Sequence, residues 1–250
     1  MSQVTLESQG DVRILSLNSP ERLNALDWPT LDAIKAAIAD IAEDRDARAV
    51  VVTGAGRAFC AGANLENVFG DRTRPIRVLR DHLKALYESF LGLVDLPIPT
   101  IAAVHGPAVG AGFSIALTCD VIIVGPDASL APTFSSIGLH PGGGCTWLLN
   151  QRVGPAQTKQ ILFSAKAIGP ERAVALGIAQ ELVDDPLERA LALAKDWAGK
   201  SPTVIRDIKS SVALAIKSPL EESVDFEALA QADSLRSAEF EMFTARFNGN

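Results

Sequence analysis

Only three cysteines occur in 250 residues, Cys60, Cys119 and Cys145, an odd number with no C-x-x-C pair and no regular spacing. That excludes a disulfide framework and a cysteine-based zinc site, and a reducing compartment is expected. Basic residues are outnumbered, 23 Lys and Arg against 30 Asp and Glu, for a formal net charge of −7. The chain therefore has no general attraction for nucleic acid or an anionic membrane, although a local basic patch could hold a phosphate. No apolar run approaches the roughly 18 residues that a membrane span needs. The first residues, Met1-Ser2-Gln3-Val4, lead into an alternating pattern without a basic or long apolar leader, so a cytoplasmic location is expected. A Gly-Lys-Ser phosphate loop, an internal repeat and low-complexity sequence are also missing. No metal and no permanently bound cofactor is expected.

What is present has globular proportions: 48% apolar and 21% charged residues suit one large domain, or a domain with an appendage. Val4 to Glu7 and Val12 to Leu17 read as a strand, a turn at Gln9-Gly10-Asp11 and a second strand. Leu31, Ile34, Ile38 and Ile41 recur at helical spacing, which predicts a helix from Thr30 to about Ala42. Ala49 to Thr53, Ile101 to Val104 and Val121 to Val124 are apolar runs of the kind found in buried parallel strands. Helices are predicted at Ile76 to Val94, at Ala111 to Leu117 and from near Cys145. Alternating strands and helices indicate an α/β architecture with right-handed crossovers. Beyond Ser201-Pro202 only helical patterns remain, Val204 to Ile216 and Leu220 to Phe247. A division follows, with a core over residues 1–200 and a helical segment over 201–250 that serves as cover or oligomer contact, since so few residues rarely make an independent core.

Three glycine-rich connections follow predicted strands: Gly54-Ala55-Gly56 with Gly62, Gly106 to Gly112, and Gly138 to Gly144. Glycine permits close backbone approach and positive φ, and a helix start leaves N–H groups free for an anion. Each loop read alone is equally a tight turn; three after successive strands suggest a shared functional edge. The glycine spacing does not fit a dinucleotide fingerprint. Gly112-Phe113-Ser114-Ile115-Ala116 approximates a nucleophile elbow, but such hydrolases need a late histidine and none follows His140.

Three stretches in this order, Pro20-Glu21-Arg22-Leu23-Asn24-Ala25-Leu26, Gly54 to Leu65 (GAGRAFCAGANL) and Ile101 to Gly112 (IAAVHGPAVGAG), resemble the crotonase superfamily of enoyl-CoA hydratases and isomerases. Thr118-Cys119-Asp120, Pro141-Gly142-Gly143-Gly144 and Ala173 to Ala179 extend the resemblance over about residues 12 to 183. It implies a spiral of ββα units with C-terminal helices, assembled as a trimer or a dimer of trimers, acting on acyl-CoA with coenzyme A as part of the substrate. Arg22, Asn24 and Ala25 match the turn beside the nucleotide of coenzyme A. Ala61, Ala63, Asn64 and Leu65 match positions around its adenine and pantetheine. The backbone N–H groups of Ala63 and Ala111 match the two oxyanion donors that hold the thioester carbonyl. Ala111 stands where glycine is usual, which keeps the N–H. Phe243 and Arg246 match an aromatic and a basic residue that close over coenzyme A.

The catalytic groups depart from the pattern. Two glutamates activate and deliver water in hydratases of this superfamily, and the matching positions here are Ser114 and Phe134. General acid–base groups contribute about 10²–10⁴ each, so ordinary hydration should be strongly reduced. His140 is one replacement, since imidazole changes charge near neutral pH, and a loop histidine bonded to backbone is the plainer alternative. Tyr87, the only tyrosine, is a substrate hydrogen-bond donor or a packing residue. His82 reads as solvent-exposed, His105 as a turn residue, Asp120 as an acceptor for backbone N–H groups, and Glu66 and Asp71 as solvated charges. Two functions stay open: an acyl-CoA enzyme with unusual proton-handling groups, and a protein that binds acyl-CoA without transforming it.

Overall fold

Residues 3–245 are described by the computed structural model. Strands β1 (Val4–Gln9) and β2 (Val12–Leu17) form the expected antiparallel hairpin, Val4 opposite Leu17. Gly10 turns the chain at φ 60°, a region open to glycine without a Cβ penalty. Helix α1 (Trp28–Glu43) starts two residues before the expectation because Asp27 caps it, accepting from the Thr30 amide at 3.0 Å, with Pro29 in the first turn. Strand β3 (Ala49–Gly54) then pairs parallel with β2.

The segment after β3 holds a short helix that periodicity did not reveal, α2 (Leu65–Phe69), and then α3 (Ile76–Asp95). Strand β4 (Thr100–Val104) joins β3 in parallel. After β5 (Pro107–Val109), α4 (Ala111–Thr118) leads into β6 (Val121–Val124) beside β4. Strand β7 (Ser129–Ala131), α5 (Cys145–Ser164) and α6 (Pro170–Ala175) follow. Helix α5 breaks at Gly154-Pro155, where Gly154 has φ 74°. Strand β8 (Glu181–Leu182) closes the main sheet, whose order is β1-β2-β3-β4-β6-β8 with every pair after the hairpin parallel.

Both faces of this sheet are covered, which is why its strands read as unbroken apolar runs. Val50, Val52, Ala102 and Val104 face one core with Leu31 and Ile34 of α1, Phe90 of α3 and Phe113 of α4. Ala49, Val51, Ile101 and Ala103 face the other, with Ala190 and Ala194 of α7 (Pro186–Ala198). Each fully buried Val or Ile is worth about 1.5–3 kcal/mol relative to exposure.

A second, smaller layer positions the site. Strands β5 and β7 pair in parallel, and single bridges extend the layer from Cys60 to Ala108, from Leu26 to Ala63 and from Leu130 to Ile168. Each turn of the chain thus gives a long strand to the outer sheet and a short extended piece to the inner one. This mixed α/β arrangement agrees with the expected crotonase-like spiral.

Helices α8 (Pro202–Ala215), α9 (Leu220–Ser234) and α10 (Ala238–Ala245) end the described chain. The single helix expected from Leu220 to Phe247 is two helices, interrupted at Leu235 to Ser237, where the Ser237 hydroxyl accepts from the Phe240 amide at 3.2 Å. Serine competes for the backbone in this way and so starts helices better than it continues them. Lys209 ties α8 to the core through the Ile98 carbonyl at 3.1 Å and the Asp120 carboxylate at 2.8 Å. Among the described residues no helix is long and apolar enough to cross a membrane.

Candidate functional site

Backbone hydrogen bonds lace three loops together at one end of the inner layer. Ala61 donates to Leu23 at 2.9 Å and Leu26 to Gly62 at 2.8 Å; Cys60 donates to Pro107 at 3.0 Å and accepts from Val109 at 2.9 Å. Glycine allows this closeness at two positions. A methyl on Gly62, which has φ 91°, would lie 2.6 Å from the Val109 oxygen and 3.7 Å from the Ala111 nitrogen. One on Gly112 would lie 2.3 Å from the Cys60 oxygen. Ala63 and Ala111 are thereby brought to one cavity wall. Among the described residues neither N–H has a hydrogen-bond acceptor. Ala111 opens α4, so no carbonyl lies one turn before it, and the positive end of the helix dipole reinforces its amide. The alanine is tolerated because Gly110 takes the positive φ of 52° while Ala111 stays outside the left-handed region.

The cavity they border has a volume of about 410 Å³, within the range of small-molecule sites. Its opposite wall consists of side chains: Phe69 from α2, Leu83, Leu86 and Tyr87 from α3, and Phe134 and His140 from the segment between β7 and α5. Among the described residues Tyr87 and His140 are the only titratable side chains in the lining, and none there is a carboxylate. His140 is exposed, with Nδ1 2.8 Å from the Pro141 carbonyl. A carbonyl only accepts, so in the neutral ring Nδ1 carries the proton and Nε2 keeps the lone pair. Tyr87 is half-buried; burial pushes its phenol pKa up, opposed by the Gly143 N–H. At neutral pH it is a donor and not a base.

Phe134 lines the cavity and Ser114 does not. Ser114 is fully buried, its hydroxyl facing the carbonyls of Gly110 at 3.3 Å and Gly142 at 3.2 Å, which removes the nucleophile-elbow reading. Of the residues matched to coenzyme A, Ala61, Ala63, Leu65 and Ala111 are in the lining. Asn64 instead caps α2, accepting from Asn67 at 3.1 Å. Asn24 is buried with its side chain spent on its own loop: it accepts from Ser19 N–H and donates to the carbonyls of Ala55, Ala58 and Phe59. Its part is to hold a turn in which Leu23 and Asn24 both have φ near 55°, so no side-chain donor is left for a ligand. Arg22 donates to Asp27 at 2.6 Å, and Ala25 lies beside it outside the cavity. Burial would push the Asp27 carboxyl up, but hydrogen bonds from Thr30 and Arg22 outweigh it and the net direction is down. Phe243 is exposed on α10, and Arg246 lies outside the described residues.

The remaining assignments divide. His82 is half-buried, contrary to the exposed reading: Nε2 donates to the Val68 carbonyl at 2.6 Å, and the ring stands edge-on to Trp28 at 4.7 Å. It thereby fastens α2 to α3 and α1. His105 bonds to the Gly56 carbonyl at 2.9 Å, a turn role as expected. Asp120 accepts from the Thr100 amide and hydroxyl and from Lys209, also as expected. Glu66 and Asp71 are both exposed, as expected, and Asp71 also closes a local turn by accepting from the Thr73 amide and hydroxyl. Sequence reasoning missed Phe69, Leu83 and Leu86 as wall residues. Leu79, Leu83, Leu86 and Phe90 follow helical spacing, so the stripe was visible, but its partner was not.

The family model described as enoyl-CoA hydratase/isomerase matches residues 7–248. The probable enoyl-CoA hydratase EchA14 of Mycobacterium tuberculosis is 40% identical over 247 residues, covering 95% of this chain and 94% of its own. The 1,2-epoxyphenylacetyl-CoA isomerase of Escherichia coli is 32% identical over 232 residues, covering 92% and 88%. The crystal structure of an enoyl-CoA hydratase from Polaromonas sp. JS666 matches with a TM-score of 0.90 at 29% identity, covering 98% of this chain and 96% of that one.

Proposed function

The chain belongs to the enoyl-CoA hydratase/isomerase family, and from that premise we propose that it holds an acyl-CoA thioester with the carbonyl oxygen on the Ala63 and Ala111 N–H groups. One observation carries this reading: among the described residues two amides without acceptors border a cavity whose only titratable side chains are His140 and Tyr87. Loss of a proton beside a thioester carbonyl moves negative charge onto its oxygen. Two fixed donors at that oxygen stabilise the enolate without reorganisation, and one such donor is worth about 10²–10³ in rate. The His140 Nε2 lone pair takes the proton and returns it at another carbon, with the Nδ1–H bond to Pro141 holding the ring. A single base suffices for a proton shift. Hydration needs one group to activate water and another to deliver a proton, so the cavity suits isomerisation better. Tyr87, protonated, donates to the substrate or packs against it.

The test is mass-spectrometric turnover of saturated, 2-enoyl, 3-enoyl and aroyl-CoA esters, with deuterium uptake from solvent beside the carbonyl as the readout of enolate formation. The native protein is expected to exchange and the His140→Ala variant to exchange about 10²–10⁴-fold more slowly. Equal exchange by both rejects His140, and no binding of any ester rejects the reading. Binding without exchange or turnover supports the second reading, an acyl-CoA-binding protein without catalysis, which the carboxylate-free lining favours. Self-assembly as a trimer or dimer of trimers through residues 201–250 belongs to the same proposal. Exposed Ile208, Val212, Leu220 and Leu229 on α8 and α9 support it, and sedimentation of the native chain tests it. The acidic balance and the ligand class fit a cytoplasmic protein without nucleic-acid partners.

A further inference from the structure

A second, open space of about 560 Å³ adjoins the cavity, and its own lining includes the exposed Ile76 and Trp147, Leu79 and the cations Arg80 and Lys84. The two spaces share one partition, to which Leu83, Tyr87, His140, Gly142 and Gly143 contribute. Tyr87 presses on the backbone there. A methyl on Gly142 would lie 2.4 Å from the Tyr87 hydroxyl and 2.9 Å from its Cζ, so the ring leaves no room for a side chain there. The outer space is apolar at Ile76, Leu79 and Trp147 and charged at Arg80 and Lys84, and it meets the cavity at these shared residues.

We infer that Tyr87 is the end wall of the acyl cavity and sets the longest acyl group the protein accepts, an inference that rests on the acyl-thioester reading above. The native cavity takes compact acyl groups, and the outer chamber becomes an extension of it only when the ring is removed.

Calorimetric titration with saturated acyl-CoA esters from butanoyl to hexadecanoyl tests this, because these bind without turnover. Each methylene that finds apolar burial tightens binding about fourfold. Native affinity should climb by that factor per carbon and stop at a definite chain length. Tyr87→Ala should move the stop to longer chains and tighten the long esters at least tenfold relative to butanoyl-CoA. Leu79→Trp, which fills only the outer chamber, should leave the native profile unchanged and, combined with Tyr87→Ala, restore the native stop. A native profile that climbs without a stop overturns the inference, as does the same stop in Tyr87→Ala or a stop moved by Leu79→Trp alone. If Tyr87→Ala does not fold, the native profile and Leu79→Trp decide. Absence of binding by the native protein to every ester defeats the acyl-thioester reading itself, an outcome distinct from binding with the wrong length dependence.

Discussion

The two walls of the cavity are built on different principles. The wall holding Ala63 and Ala111 consists of main chain, aligned by hydrogen bonds between successive loops and by glycines with no space for a methyl. The wall holding Phe134, Tyr87 and His140 consists of side chains on α3 and on the segment before α5. An amide is present whatever the residue, so the first wall survives substitution as long as the backbone path does. The second changes with every substitution. One scaffold can thus keep its amide-lined wall and exchange its side-chain wall.

The sharpest way to break this contrast is to delete a main-chain donor without disturbing the path. Ala111→Pro does so, because proline is tolerated at the first helical position and the preceding Gly110 has the freedom to precede it. A loss of about 10²–10³ in kcat/KM, or 2.7–4 kcal/mol, is expected with an unchanged circular dichroism spectrum. Unchanged turnover would remove Ala111 from the site. Gly112→Ala attacks the path itself by driving a methyl into the Cys60 backbone. Overpacking of this kind costs about 1–3 kcal/mol in denaturant unfolding, and acyl-CoA binding should weaken with it; a fully stable variant would show that the loops can part.

A third test concerns the frame. Asp27→Ala removes the cap of α1 and should cost about 1 kcal/mol at neutral pH. Because Asp27 titrates below its unfolded value of about 3.9, the stability it confers is complete above that pH and is lost as the pH falls through its native pKa. The difference between native and variant should therefore narrow as the pH falls below that unfolded value, and a gap that does not change with pH would mean that the carboxylate charge is immaterial. The smallest effect is expected on the side-chain wall. Phe134→Leu should change stability by less than about 1.5 kcal/mol while altering which acyl esters bind, measured by the same titrations.

The outer frame was legible in the sequence because its information is local. Val50 to Val52 and Ile101 to Val104 announce doubly covered strands, and Leu31, Ile34, Ile38 and Ile41 announce one face of a helix. Strands β5 and β7 were not legible: three residues carry too little periodicity, and their pairing is fixed by neighbours distant in sequence. The same holds for His82, whose burial depends on Trp28 and Val68 arriving from other elements. Asn24 shows a different limit, since residue type could not reveal that its side chain is consumed by the turn that the motif needs. Ala63 and Ala111 came from resemblance alone, because a backbone N–H has no signature in residue type.

Helix α4 has eight residues, about 12 Å from end to end at 1.5 Å per residue. Its leading end carries the Ala111 amide; at its trailing end Arg152 grips the carbonyls of Leu117 and Cys119, and Asp120 is tied through Lys209 to α8. Mechanically it is a strut, clamped at one end and aimed at the other. In the proposed function the Ala111 amide must be held within about 0.5 Å of its productive place, and the trailing clamp is the footing on which that aim depends. The C-terminal helices, far along the chain from the cavity, stand on the same footing.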